Sequence, residues 1–254
     1  MYLGQLLDDG EAAATCTRRG LALIEYQAAH GDEDASERMC GACCALAEQL
    51  MGVADDVDDV AEECDQLLRR AAEADRASAE PLQVLASLRV LQGRSDEALE
   101  ALRQSMAIWR RDRKGTASGD DQADDRATEF EGEYDVSFDF RFECAKLLLE
   151  LDESTDAAMD VLEELLEERD DVADVWHLLA LANHGCCEFD RALEMLDRAE
   201  ALYARGAGGG DGDDGDGEMD DGNGTGSPLA DGVKADLAEL RSAIEESKAS
   251  WNGE

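Results

Sequence analysis

Apolar residues recur along this chain at helical spacing, and the clearest pattern occurs more than once. EPLQVLASLRVLQGRSDEALEALRQS begins at Glu80, and DVWHLLALANHGCCEFDRALEMLDRA begins at Asp174. Their central alanines, Ala98 and Ala192, are each followed by leucine four residues later and by a small residue seven later. A third copy, TDAAMDVLEELL, centres on Ala158, 34 residues before Ala192. A degenerate fourth, AEECDQLLRRAAEA, centres on Cys64, 34 residues before Ala98. Ala98 and Ala158 stand 60 residues apart, one period with a 26-residue excess.

A 34-residue helix–turn–helix period is the tetratricopeptide spacing. The expected fold is all-α: a tetratricopeptide-repeat superhelical solenoid of four to five helix pairs, with a C-terminal capping helix. Helices are predicted over 11–29, 35–51, 60–75, 80–92, 95–111, 139–151, 154–168, 172–184, 188–205 and 229–250. Gly93 is read as a helix stop and Ser154 as an N-cap. The chain divides into N-terminal repeats over 1–111, a polar acidic insertion over 112–136 and C-terminal repeats over 137–205. A Gly/Asp acidic loop over 206–228 and the capping helix over 229–254 complete it. Neither insert has enough apolar anchors to offset its ordering entropy, so both are expected to be mobile. Ala13 is read as the packing residue of the first repeat, whose first helix would then lack its opening two turns. An upstream extension is expected on that ground.

Charge narrows the function. The chain carries 63 Asp and Glu against 23 Lys and Arg, a formal net charge of −40 over 254 residues. Such a field repels nucleic acid and anionic membrane, attracts strongly basic proteins, and disfavours self-association, so a monomer is expected. Neither a targeting segment nor a 20-residue apolar run stands out, which points to a soluble intracellular protein. Eight cysteines are present. Cys40 and Cys43 share a helix side, but no second CxxC or His pair follows to complete four ligands, so no metal and no cofactor is expected. Cys64 replaces a packing alanine and reads as a small buried thiol.

With Ala98, Ala158 and Ala192 at position 20 of each repeat, the first helix of each pair lines a groove. Its positions fall on Glu80, Gln83, Ser87 and Val90; on Phe140, Glu143, Leu147 and Glu150; and on Asp174, His177, Leu181 and His184. Leu147 and Leu181 are expected to pack between helices. The other groove residues except Val90 are the candidate partner-binding set. The twelve positions hold carboxylates but no Lys or Arg, so a clamp for a peptide C-terminus is missing. His177 and His184, seven apart on one predicted helix face, have no serine or cysteine nucleophile placed beside them in the sequence, and the glycines of 208–224 alternate with aspartates that would repel phosphate. A binding protein is expected, not an enzyme.

Three segments carry a resemblance: MYLGQLLDDGEAAATCTRRGLALI, YDVSFDFRFECAKLLLEL and ADVWHLLALANHGCCEFDRALEMLDRAEAL. Together they resemble the dedicated assembly chaperones of large-subunit ribosomal protein number four, over most of the chain. The spacing of Trp176, Leu179 and Ala180 is shared by many tetratricopeptide proteins. The resemblance implies capture of that newly made basic protein, shielding of its long rRNA-binding loop, and escort from cytoplasm to nucleus. An acidic tetratricopeptide histone chaperone, or a scaffold subunit, is the alternative. One departure stands out: Lys146 occupies a position where the repeat prefers Gly or Ala.

Overall fold

The computed structural model describes residues 10–32, 34–115, 136–151, 154–208 and 228–251. Within them lie ten α-helices, one 3-10 turn (Val57–Asp59) and no strand. Two compact units divide them, with the boundary between Ser137 and Phe138. The first holds α1 (Gly10–Ala29), α2 (Ala35–Val53), α3 (Ala61–Ala74), α4 (Glu80–Leu91) and α5 (Ser95–Gly115). The second holds α6 (Phe138–Glu150), α7 (Thr155–Glu168), α8 (Ala173–Gly185), α9 (Phe189–Gly208) and α10 (Pro228–Trp251). Helix α5 runs four residues beyond its predicted end at 111, into the expected insertion. The rest of that insertion, most of the Gly/Asp loop and the first nine residues lie outside the described residues.

Each unit is built from antiparallel helix pairs whose closest approach is marked by small side chains. Ala98, Ala158, Ala192 and Cys64 are all fully buried. So are the small residues seven positions after Ala98, Ala192 and Cys64, namely Ser105, Ala199 and Ala71. Ser105 also donates its hydroxyl to the Ala79 carbonyl at 3.1 Å, which fixes the start of α4 against α5. Leucines fill the space beside these contacts: Leu102, Leu162 and Leu196 are completely inaccessible. Burying a side chain of that size contributes about 1.5–3 kcal/mol. The tetratricopeptide fold expected from the spacing is therefore present.

One connection is a residue longer than the period allows. Twelve residues separate the buried Ala86 from Ala98 and the buried Ala180 from Ala192, but the equivalent partner of Ala158 is Ala145, thirteen residues earlier. Lys146 is thus not in the small-residue position. It is half-buried and ion-paired to Glu143 at 2.9 Å, while Ala145 takes the helix contact. Ser154 does stand at the start of α7, but its hydroxyl makes no cap bond and is buried without a hydrogen-bond partner.

Charged side chains tie neighbouring helices together. Arg18 and Glu25 of α1 pair with Glu63 and Arg70 of α3, so two reciprocal pairs, each end shifted by seven residues, lock the register of these helices. Arg89 of α4 reaches Asp65 of α3 at 2.7 Å and Glu97 of α5 at 3.4 Å. In the second unit the fully buried Arg141 of α6 pairs with Glu168 of α7 at 2.5 Å. Arg241 of α10 holds Asp197 and Glu200 of α9. The final helix α10 packs Leu237, Leu240 and Ile244 onto α9 as the capping pattern predicts.

The turns within the α4–α5 and α8–α9 pairs use the same device. Gly93 has φ +69°, and the Arg94 N–H reaches back to the Arg89 carbonyl at 2.8 Å. Cys187 occupies the matching place with φ +61°, and the Glu188 N–H reaches the Asn183 carbonyl at 2.9 Å. A cysteine in the left-handed region is strained where glycine is not. Cys187→Gly should therefore stabilise the fold by about 0.5–1 kcal/mol, read as a higher urea midpoint, while Gly93→Ala destabilises it by a similar amount. A loss of stability in Cys187→Gly would show that the thiol side chain outweighs the backbone strain.

Candidate client-binding faces

In the first unit the predicted residues lie on α4, which packs against α2, α3 and α5. That crowding leaves little of the predicted set free. Gln83 is buried, and Ser87 spends its hydroxyl on the Gln83 carbonyl at 3.3 Å. Val90 is half-buried. Glu80 is half-buried too, and burial pushes its carboxyl above the usual carboxylate range. Its carboxylate faces the thiols of Cys40 and Cys44, a juxtaposition that short-range sequence spacing could not reveal.

In the second unit the predicted residues lie on α6 and α8, which touch each other. Glu143 and Glu150 are exposed, and Phe140 and Leu147 are half-buried. Leu181 is 40% exposed, so it does not pack between helices as its apolar character suggested. The extra residue before α7 rotates the repeat phase of α6. The counterparts of Asp174, His177, Leu181 and His184 become Asp139, Phe142, Lys146 and Leu149. The Lys146 ammonium lies 6.0 Å from the Phe142 ring centroid, so one cation does sit on this face. The sequence signal for the shift was the run Cys144–Ala145 with Leu148, whose burial pattern matches Leu179–Ala180 with Asn183.

The α8 residues face α9 and also α10, which the 34-residue lattice did not include. Exposed Asp174 accepts a hydrogen bond from the Tyr203 hydroxyl of α9. Burial, reinforced by this carboxylate, pushes the Tyr203 phenol above its usual range. His184 lies 3.1 Å from the Ser247 hydroxyl of α10, and its ring is 6.0 Å from that of Phe189. His177 is half-buried, and desolvation lowers its pKa despite the opposing charges of Asp174 and Asp236. Helix α10 thus stands beside the predicted α8 residues as well as sealing α9.

The electrostatic balance is the dominant property of these faces. At least eleven described cations form ion pairs within the chain: the five already named on α1–α6, Arg241 of α10, Arg38 with Asp32, Arg94 with Glu97, Arg169 with Asp171, Arg191 with Glu163, and Lys248 with Asp190. Carboxylates outnumber Lys and Arg by 40 overall, so most acidic groups have no basic counterpart in the chain. Among the described residues no helix is long and apolar enough to cross a membrane.

No family model matches the chain. It is similar to a Schizosaccharomyces pombe protein named a probable assembly chaperone of rpl4, with 28% identity over 181 residues. That alignment covers 70% of this chain and 49% of the relative, so the chain spans about half the length of the curated relative it matches. Among solved structures it is similar to an assembly chaperone of RpL4 (Acl4, residues 1–338). There the TM-score is 0.55 and the identity 24%, with 76% of this chain and 69% of that one covered. It also resembles BtubC from P. vanneervenii, with TM-score 0.53 and 16% identity over 98% and 94% of the two chains. The two structural likenesses concern the fold. The resemblance drawn from the three sequence segments is thus found again, by sequence, in the curated relative.

The His177 environment gives a pH dependence with a definite sign. Its pKa in the folded chain lies below the free value of 6.5, so the unfolded chain takes up the proton first. The stability this group contributes is present above pH 6.5 and is lost as pH falls towards the folded value. Thermal midpoints should fall between pH 7 and about 5.5, a range above ordinary carboxylate titration, and His177→Gln should flatten that fall. An unchanged slope in the variant would place the proton uptake elsewhere.

Proposed function

We propose that this chain is a dedicated, non-enzymatic chaperone for a newly made, strongly basic ribosomal protein. The client that fits best is large-subunit ribosomal protein number four, whose rRNA-binding loop is shielded until assembly. The observation that carries this reading is the acid surplus: many of the chain's described cations are engaged in its own ion pairs, which leaves a large excess of carboxylate to attract a basic partner. The name of the Schizosaccharomyces pombe relative supports the choice of client. In this reading the chain works as a monomer, meets the client in the cytoplasm, and travels with it to the nucleus without binding nucleic acid or membrane.

The faces of α6 and α8 suit a basic segment better than α4 does. Glu143, Glu150 and Asp174 are exposed there, and Leu181 adds exposed apolar surface. Charge on this rim would speed capture and orient the client, while apolar contacts would slow its release. The carboxylates stand in for rRNA phosphates, so this chain and rRNA compete for the client's basic groups.

Affinity purification in low salt should recover the ribosomal protein. Recovery of core histones in its place would overturn the client assignment and favour a histone chaperone. Combined Glu143→Lys, Glu150→Lys and Asp174→Lys should weaken binding about tenfold at low salt and less at high salt. Removing 209–227 in a separate variant apportions the remaining charge effect. An affinity that does not change with salt would refute a charge-led mechanism.

A further inference from the structure

Helix α2 presents three buried cysteines within two turns, and they do not share one environment. Cys43 faces α1 and α3, where burial pushes its thiol up to about 11, with Arg70 opposing. Cys40 and Cys44, one helical turn apart, face the start of α4 instead. The two sulfurs and a Glu80 carboxylate oxygen all lie within 4.8 Å of one another. Cys40 is 2% exposed and Cys44 is fully inaccessible. This is the one group of three such donors among the described residues.

The donor set has a chemistry of its own. Two thiols beside a half-buried carboxylate make a poor packing contact, because a carboxylate leaves water at a cost unless it gains partners. The same set is a good match for a borderline-soft divalent ion, which takes Cys sulfur at about 2.3 Å and carboxylate oxygen at about 2.0–2.2 Å. Tetrahedral ligands at those lengths lie roughly 3.5–3.8 Å apart, so small side-chain rotations bring the three donors to bonding distance. Cys40 shares a hydrogen bond with Cys44 and another with Ser78. Ser78 in turn accepts from the Glu80 N–H at 3.3 Å, so the residues around the donors are already ordered.

We propose that Cys40, Cys44 and Glu80 bind one thiophilic divalent cation, best matched by Zn²⁺, with water in the fourth position. Binding converts both thiols to thiolates and releases their protons to solvent, so affinity rises with pH. The ion would join α2 to the first turn of α4 across a contact that otherwise rests on packing. The site is independent of client capture, since Glu143, Glu150 and Asp174 lie in the other unit.

The test uses the full chain, reduced and freed of metal. Titration with Co²⁺ should give near-ultraviolet thiolate-to-metal absorption saturating at one equivalent, which Zn²⁺ then removes. X-ray absorption of the zinc form should report two sulfurs at about 2.3 Å and otherwise oxygen. Glu80→Gln should keep the thiolate band but weaken binding at least tenfold, while Cys186→Ser with Cys187→Ser should change nothing. A sulfur count of zero or four, an absent thiolate band, or an unweakened Glu80→Gln variant would overturn the site. The absorption measurement needs no variant, so it decides the matter even if Cys40→Ala or Cys44→Ala fails to fold.

Discussion

Nothing larger than a methyl group or a thiol fits where the paired helices of this chain come closest, and the rest of the structure depends on that limit. Ala98, Ala158, Ala192 and Cys64 are wholly buried at these crossings. A bulkier side chain would push the helices apart and open voids beside Leu102, Leu162 and Leu196, whose contacts need native packing density. Because one such residue is needed per helix pair, the constraint repeats with the pair. The periodicity is the linear trace of a three-dimensional contact.

A molecule with this much negative charge must hold its helices together against its own repulsion. The scarce cations are spent where that matters. Arg18 and Arg70 join α1 to α3, Arg89 joins α3, α4 and α5, and Arg241 and Lys248 join α10 to α9. Exposed pairs of this kind contribute little singly, commonly 0–1 kcal/mol. Their location still lets the apolar core set the fold while uncompensated carboxylate collects on the accessible faces. Scaffold cohesion thus draws on a minority of the acidic side chains.

Helix identity was legible because it follows from short-range patterns: apolar spacing, Gly93 at its turn, and the alanine repeat. Residue environment was less so. Ser154 has the chemistry of an N-cap, yet the backbone beside it directs the hydroxyl inward. Gln83 is polar but buried, and Leu181 is apolar but exposed, because neighbouring helices decide access and hydropathy does not. The approach of Glu80 to Cys40 and Cys44 was out of reach for a different reason. It joins residues about 40 positions apart through the packing of α2 on α4, so no local spacing encodes it.

The added residue between α6 and α7 reaches further than one helix. An α-helix advances about 100° per residue, so a one-residue slip turns a whole row of side chains by more than a quarter of the circumference. The 34-residue ruler, laid across this pair, is therefore one residue out of phase on α6: it sets Glu143 and Leu147 level with His177 and Leu181, where the fold sets Phe142 and Lys146. A consensus built by stacking these repeats column by column would average surfaces that never occupy the same place. Transplanting a recognition surface onto this chain, or borrowing one from it, has to be aligned on Ala145 and not on the count back from Ala158.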